Sequence, residues 1–264
     1  GPTGRKDYTE ALLNKDDSFF YSSARKQKKA GAQIINLNVS IPGIDEKEAM
    51  LCGVEEIASS VDAPLQIDSI HPEIIEAALR AYSGKGIINS VNGTEKSMNS
   101  LLPVAKKYGS CIIAMTFDER GICEKVSDRV EIAKKIIQRA SEYGIDKKDI
   151  IVDCLSLPAK TYPNSLMETL EVVEQVKKLG VKTMLGVANV SFSLPNRTVL
   201  DRTYFAMALT KGLDAVMMSV YDKDMFETIE AYKIFIGADP NGRQYTKKYH
   251  RKITEIDTTP ESRS

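Results

Sequence analysis

KTMLGVANVSFSLPNR, Lys182 to Arg197, begins as an apolar run and ends as a polar, proline-broken loop carrying two asparagines and an arginine. Its first half has the composition of a strand covered on both faces. Asn189 and Asn196 then admit two readings. Asparagine tolerates left-handed backbone angles and bonds its own main chain, so both suit ordinary turns. Alternatively, the end of the strand is a floor on which a ligand sits. The choice depends on what the other strands carry at their ends.

Similar runs recur at IINLNVS, LQIDS, GIINSVN, CIIAMTF, IIVDCL and AVMMSV, and each reads as a doubly covered strand. Between them Val126, Val130, Ala133, Ile137 and Ala140 keep helical spacing, as do Leu166, Leu170, Val173 and Val176, with Gly180 as a stop. Asp45 followed by Glu48 has the pattern of a capping box, and Pro72 after His71 suits a first helical turn. Strand and helix alternate throughout.

Seven strands are one short of an α/β TIM (β/α)8 barrel, which takes about 250 residues; this chain has 264. The shortfall lies at the front, where GPTGRKDY is already a loop leading into the helical TEALLNKDD and DSFFYSSARKQKKAGA. The expectation is a TIM barrel whose first strand is missing from the N-terminus, with Gly1-Pro2 read as a truncation scar. A doubly wound open sheet shares this periodicity, but no G-x-G-x-x-G follows the first strand. The barrel is assigned to residues 1–238. Residues 239–264 lack an apolar period and are expected to form a polar C-terminal extension, peripheral or disordered.

Thirty-six basic residues balance thirty-six acidic ones, which argues against a nucleic-acid or membrane-surface partner. Apolar runs such as SCIIAMTF fall far below the roughly 20 residues of a membrane-spanning helix, and no charged-then-apolar leader opens the chain. The expected location is the cytoplasm. Cys52, Cys111, Cys123 and Cys154 form no C-x-x-C pair and read as small hydrophobes. His71 and His250 are the only histidines, too few for a histidine-rich metal site, and no metal is expected.

In a parallel barrel the chemistry sits at the carboxyl ends of the strands. Here Asn38, Asp68, Asn89, Asp153 and Asn189 occupy five such ends. Any one of them suits a helix cap or turn, but five around one mouth point to a ligand. Two carboxylates and three amides offer acceptors and some donors, with little positive charge, so they suit phosphate poorly. A neutral heterocycle presenting two coplanar N–H donors fits a buried carboxylate, because the pair forms parallel hydrogen bonds. Pterins have that edge.

The segments LQIDSIHPEIIEAAL, GIINSVNG, IIVDCLSLPA, LGVANVSFSLPNR and LDRTYFAMALTKGLDAV resemble the pterin-binding barrels that transfer methyl groups between methyltetrahydrofolate and a corrinoid. The resemblance runs from Pro2 to about Ala238, and GVANVSFSLPNR is its most specific part. That block is similar to the folate module of cobalamin-dependent methionine synthase. Acetogen enzymes that methylate a corrinoid iron–sulfur protein usually have Gln where Phe192 stands. In the family a strand of the type G-E-R-x-N precedes PTG, which matches the missing strand.

The resemblance implies 5-methyltetrahydrofolate or tetrahydrofolate as substrate, a cobalamin-type corrinoid carried by a partner protein, and a homodimer. It implies that Asp153 grips the 2-amino and N3 edge while Asp68 and Asn89, with Asn38 beside them, complete the polar floor. Asn189 would lie near N5 and stabilise its protonated form, and Gly186 would let the pterin approach the backbone. Arg197 would lie over the ring or meet the folate tail. Two rivals stand beside this reading. Dihydropteroate synthase shares the pterin edge but needs a cationic site at the last strand, where AVMMSVYDKDM offers only Lys223 and no histidine. A noncatalytic folate-binding or corrinoid-docking subunit would use the same pocket.

Overall fold

The computed structural model describes Pro2 and residues 5–256, with side chains described through Tyr249. Two helices, α1 (Lys6–Leu13) and α2 (Ser18–Lys29), lead into β1 (Ile35–Leu37). Then follow α3 (Glu46–Ser60), β2 (Leu65–Asp68), α4 (Pro72–Ala81), β3 (Ile87–Asn92), α5 (Glu95–Tyr108) and β4 (Cys111–Met115). A small hairpin, β5 (Phe117–Asp118) and β6 (Gly121–Ile122), precedes α6 (Val126–Glu142). The chain continues through β7 (Ile150–Asp153), α7 (Ser165–Lys177), β8 (Lys182–Gly186), α8 (Arg197–Thr210), β9 (Ala215–Met217), α9 (Lys223–Phe235) and α10 (Arg243–Ile256).

Seven parallel strands form one sheet in the order β1-β2-β3-β4-β7-β8-β9. Spatial order follows chain order without a reversal, which is single winding. A doubly wound sheet requires a switch point where that order turns back, so that alternative is excluded. The architecture is a TIM-barrel fold opened into a curled sheet. Among the described residues β1 and β9 do not pair, and the eighth strand of a closed barrel is not present.

Strand parity divides the apolar load. Ile35, Leu37, Leu65, Ile67, Ile88, Ile112, Val152 and Leu185 are at or near zero exposure and belong to the large core between sheet and helices. Each contributes about 1.5–3 kcal/mol by leaving water. The opposite parity builds a smaller inner cluster, Ile87, Ile113 and Met184, flanked by Cys111, Ile151 and Ala215. Toward the carboxyl ends that inner parity turns polar.

Local signals act as the sequence indicates. The Asp45 side chain caps α3 by accepting from the Glu48 backbone N–H at 3.0 Å, although the Glu48 carboxylate pairs with Lys15 instead of closing the box. His71 and Pro72 open α4. Gly180 lies past α7 with φ +80°, a conformation that glycine adopts freely.

The polar segment after Ala238 departs from expectation, because residues 243–256 are helical. Buried Asp239 explains the start: its two carboxylate oxygens accept the backbone N–H groups of Gln244 and Tyr245 at 3.1 and 2.9 Å. Lys248 reaches Glu230 on α9 at 3.7 Å. Residues 257–264 lie outside the described residues. Among the described residues no helix is long and apolar enough to cross a membrane.

Candidate functional site

The strand registers bring the polar ends together. Asp68 stands opposite Asn89, Met115 opposite Asp153, and Asp153 opposite Met184, while Gly186 faces Met217. These residues share the inner parity at the carboxyl edge. Asn38 follows β1 by one residue, with the parity of Asn36. Met217 is 37% exposed at this edge.

Asp68 is held from below by amides. Gln66 Nε2 donates to Asn36 Oδ1 at 2.7 Å, and Asn36 Nδ2 donates to Asp68 Oδ2 at 3.1 Å. The Asn38 side chain also bonds Asp68, and its Oδ1 accepts from the Ser40 backbone N–H at 3.1 Å. Burial raises the Asp68 carboxyl above its usual range, and the bonds from Asn36 and Asn38 oppose that rise. Asn36 and Gln66 are site residues the sequence reading missed. Their signal was parity: in INLN and LQID they alternate in step with Asn38 and Asp68.

Asp153 occupies the end of β7. Its Oδ1 accepts from the Leu155 backbone N–H at 2.9 Å, a turn that Leu155 makes with φ +54°. Burial pushes its carboxyl up to about 6, partly offset by the Leu155 N–H and by the positive charge of Arg129. Near neutrality it is therefore an acceptor that a pair of N–H donors would hold ionised.

Asn189 is not on the strand itself. β8 stops at Gly186, and Val187–Asn189 form a 3-10 turn that exposes the amide. A Cβ built on Gly186 would come within 3.1 Å of Asn189 Nδ2. The space left by this glycine is thus occupied by the chain's own amide, alongside any role in admitting a ring. Among the described residues no hydrogen bond engages the side chains of Asn89 or Asn189.

Arg197 faces its own loop. Its Nε donates to Ser191 Oγ at 2.9 Å and its Nη2 to Ala188 O at 2.7 Å, so it braces the turn that carries Asn189. Asn196 adopts φ +50° just before α8, the turn role open to it from the sequence. A separate cavity of about 230 Å³ lies between α1, α2 and α3, lined by Leu12, Lys15, Asp17, Phe20, Glu48 and Cys52 among others, and shares no residue with the strand-end group. Among the described residues no group of three or more His, Cys, Asp or Glu side chains is arranged to hold a metal ion.

Residues 3–219 match the family model described as pterin binding enzyme. The chain is 27% identical over 246 residues to the methylcorrinoid:tetrahydrofolate methyltransferase of Eubacterium limosum, covering 92% of this chain and 91% of that one. It is 29% identical over 229 residues to the methionine synthase of Mycobacterium leprae (strain TN), covering 81% of this chain and 19% of that longer protein. Among solved structures it superposes on a dihydropteroate synthase from Xanthomonas albilineans in complex with 7,8-dihydropteroate with a TM-score of 0.65. That match has 17% identity and covers 81% of this chain and 83% of that one. The dihydropteroate synthase of Thermus thermophilus gives 0.65 at 19% identity, with 81% and 87% covered. At these identities the structural likeness establishes the fold alone.

Proposed function

The chain belongs to the pterin binding enzyme family, and from that premise we propose that it moves a methyl group between N5 of tetrahydrofolate and the cobalt of a corrinoid carried by another protein. The observation that carries this reading is the chemistry of the rim. Asp153 offers a carboxylate, Asn89 and Asn189 offer uncommitted amides, and Arg197 is turned into its loop. Such a rim suits a neutral, donor-rich ring and suits an anion poorly. The names of two curated relatives favour methyl transfer, since one is a methylcorrinoid:tetrahydrofolate methyltransferase and the other a methionine synthase.

In this reading Asp153 accepts the 2-amino and N3 donors of the pterin, and Asp68, Asn38 and Asn89 complete the floor. When the N5–methyl bond breaks, its electron pair stays on N5, and that nitrogen must carry a proton for a neutral amine to leave. The Asn189 carbonyl accepts from N5–H, a bond that strengthens as positive charge develops. A carboxylate in that place would hold the cation in the ground state as well, which would not lower the barrier. The corrinoid is the second substrate and supplies cobalt as methyl acceptor or donor. Much of the rate comes from holding the two reactants in line.

Stopped-flow absorbance with cob(I)alamin and methyltetrahydrofolate tests this directly. Loss of the cob(I) spectrum with one methyl transferred per folate is expected. Folate binding without transfer to free cobalamin or to any corrinoid protein would favour a noncatalytic subunit. Condensation of a pterin pyrophosphate with 4-aminobenzoate would favour a dihydropteroate synthase, the activity named for the two solved structures above. A homodimer in the cytoplasm remains part of the proposal, checked by sedimentation and cell fractionation.

A further inference from the structure

Arg129 lies on the buried stripe of α6 with 0% exposure, where arginine is almost never found without compensation. Its hydrogen-bond partners among the described residues are not carboxylates. One Nη donates to Thr169 Oγ1 on α7 at 3.0 Å. The other donates to the carbonyl of Cys154 and, at 2.8 Å, to that of Leu155. Thr169 Oγ1 also donates to Leu155 O at 3.4 Å, while the Arg129 Nε has no partner. The guanidinium therefore grips the carbonyls of the two residues directly after Asp153. Leu155 within that grip is the residue whose left-handed backbone aims its N–H at the Asp153 carboxylate.

Resting on the reading of Asp153 as the pterin-binding carboxylate, we propose that Arg129 is a positioning residue: it locks the Cys154–Leu155 turn that orients the Asp153 carboxylate. Two physical facts converge here. A buried cation with unsaturated hydrogen bonding needs negative potential nearby, and the carbonyl dipoles supply part of it. Asp153 supplies more, so each group's charge lowers the cost of the other. The remaining titratable groups facing Arg129 are Cys154, Tyr204 on α8 and Glu168 on α7.

The test begins in the ligand-free protein. The titration midpoint of Asp153, followed by carbon-13 NMR of labelled aspartate with D153N for assignment, is expected to rise by about one pH unit or more in Arg129→Met. Methyltetrahydrofolate affinity should then fall more at pH 6 than at pH 8. Arg129→Lys keeps the charge and loses the fork, so its midpoint should stay near wild type while affinity drops by about tenfold at both pH values. An unchanged midpoint in a cooperatively folded R129M protein would overturn the electrostatic role. Should R129M fail to fold, wild-type folate affinity in R129K would overturn the positioning role. Because the midpoint is read without ligand, a wild-type protein that binds no folate would sink the pterin reading and leave this measurement standing.

Discussion

Asn189 carries the sharpest expectation for a single residue. Its amide is exposed on a turn and bonded to nothing among the described residues, so truncation removes the contact proposed for N5 and little else. Asn189→Ala is expected to slow single-turnover methyl transfer by roughly 10²-fold or more, with methyltetrahydrofolate affinity within about tenfold of wild type. Equal losses in both would assign Asn189 to binding. Gly186→Ala probes the same amide indirectly, because the added methyl would sit 3.1 Å from Nδ2 and displace it. About a tenfold fall in rate, exceeding the loss of affinity, is expected; the reverse order would mean that Gly186 serves the ring itself. Asp153 sets a pH dependence. With its carboxyl raised to about 6, the accepting form is lost as pH falls through that value. Calorimetric affinity should therefore drop about fourfold between about pH 7.5 and about pH 5.5. Asp153→Asn should weaken binding, since one bond becomes donor against donor, and should abolish that slope.

At the scale of an element, α10 shows how one buried carboxylate makes a helix from a segment with little apolar pattern. Asp239 satisfies two of the first backbone N–H groups of that helix, groups that otherwise have no intrahelical partner. Asp239→Ala is expected to destabilise α10 by about 1 kcal/mol. Far-ultraviolet circular dichroism should then lose helical signal while methyl transfer persists, and an unaltered spectrum would contradict the cap. The loop from Gly186 to Arg197 is likewise held by local bonding. Its 3-10 turn, the Ser191 hydroxyl and the Arg197 guanidinium form one braced unit. Arg197 thus braces the turn that carries Asn189.

For the whole molecule, the carboxylates at the strand ends oppose stability. Asp153 has a folded value of about 6 against an ordinary 3.8, so the folded state binds more protons than the unfolded one between those values. Stability from this group therefore falls as pH rises from about 4 to about 6, by at most about 3 kcal/mol. Removing the charge should remove this pH dependence. Asp153→Asn also takes a counter-charge from buried Arg129, so its melting temperature relative to wild type is expected to carry a pH-independent loss and to be more favourable at pH 7.5 than at pH 4. A difference that does not change with pH would contradict the raised carboxyl. The core between sheet and helices supplies the margin that tolerates such a site.

The alternation of strands and helices was legible because strands covered on both faces must be apolar runs, and all seven runs are strands of the sheet. The rim was legible for the same reason: Asn38, Asp68, Asn89 and Asp153 interrupt those runs where side chains leave the core. Asn36, Gln66 and Arg129 also left traces, the first two in strand parity and the third on the apolar stripe of Val126, Val130 and Ala133. The two-residue strands of the hairpin left none, being too short to show a period. Sequence by itself determined the element types and the chemistry of the strand ends, since both follow from local periodicity and composition. Tertiary structure alone decided that the sheet is singly wound, that Arg197 turns inward on its loop, and that Arg129 clasps carbonyls 25 and 26 positions away. Those outcomes depend on which surfaces meet after packing, and no local pattern records a contact between distant segments.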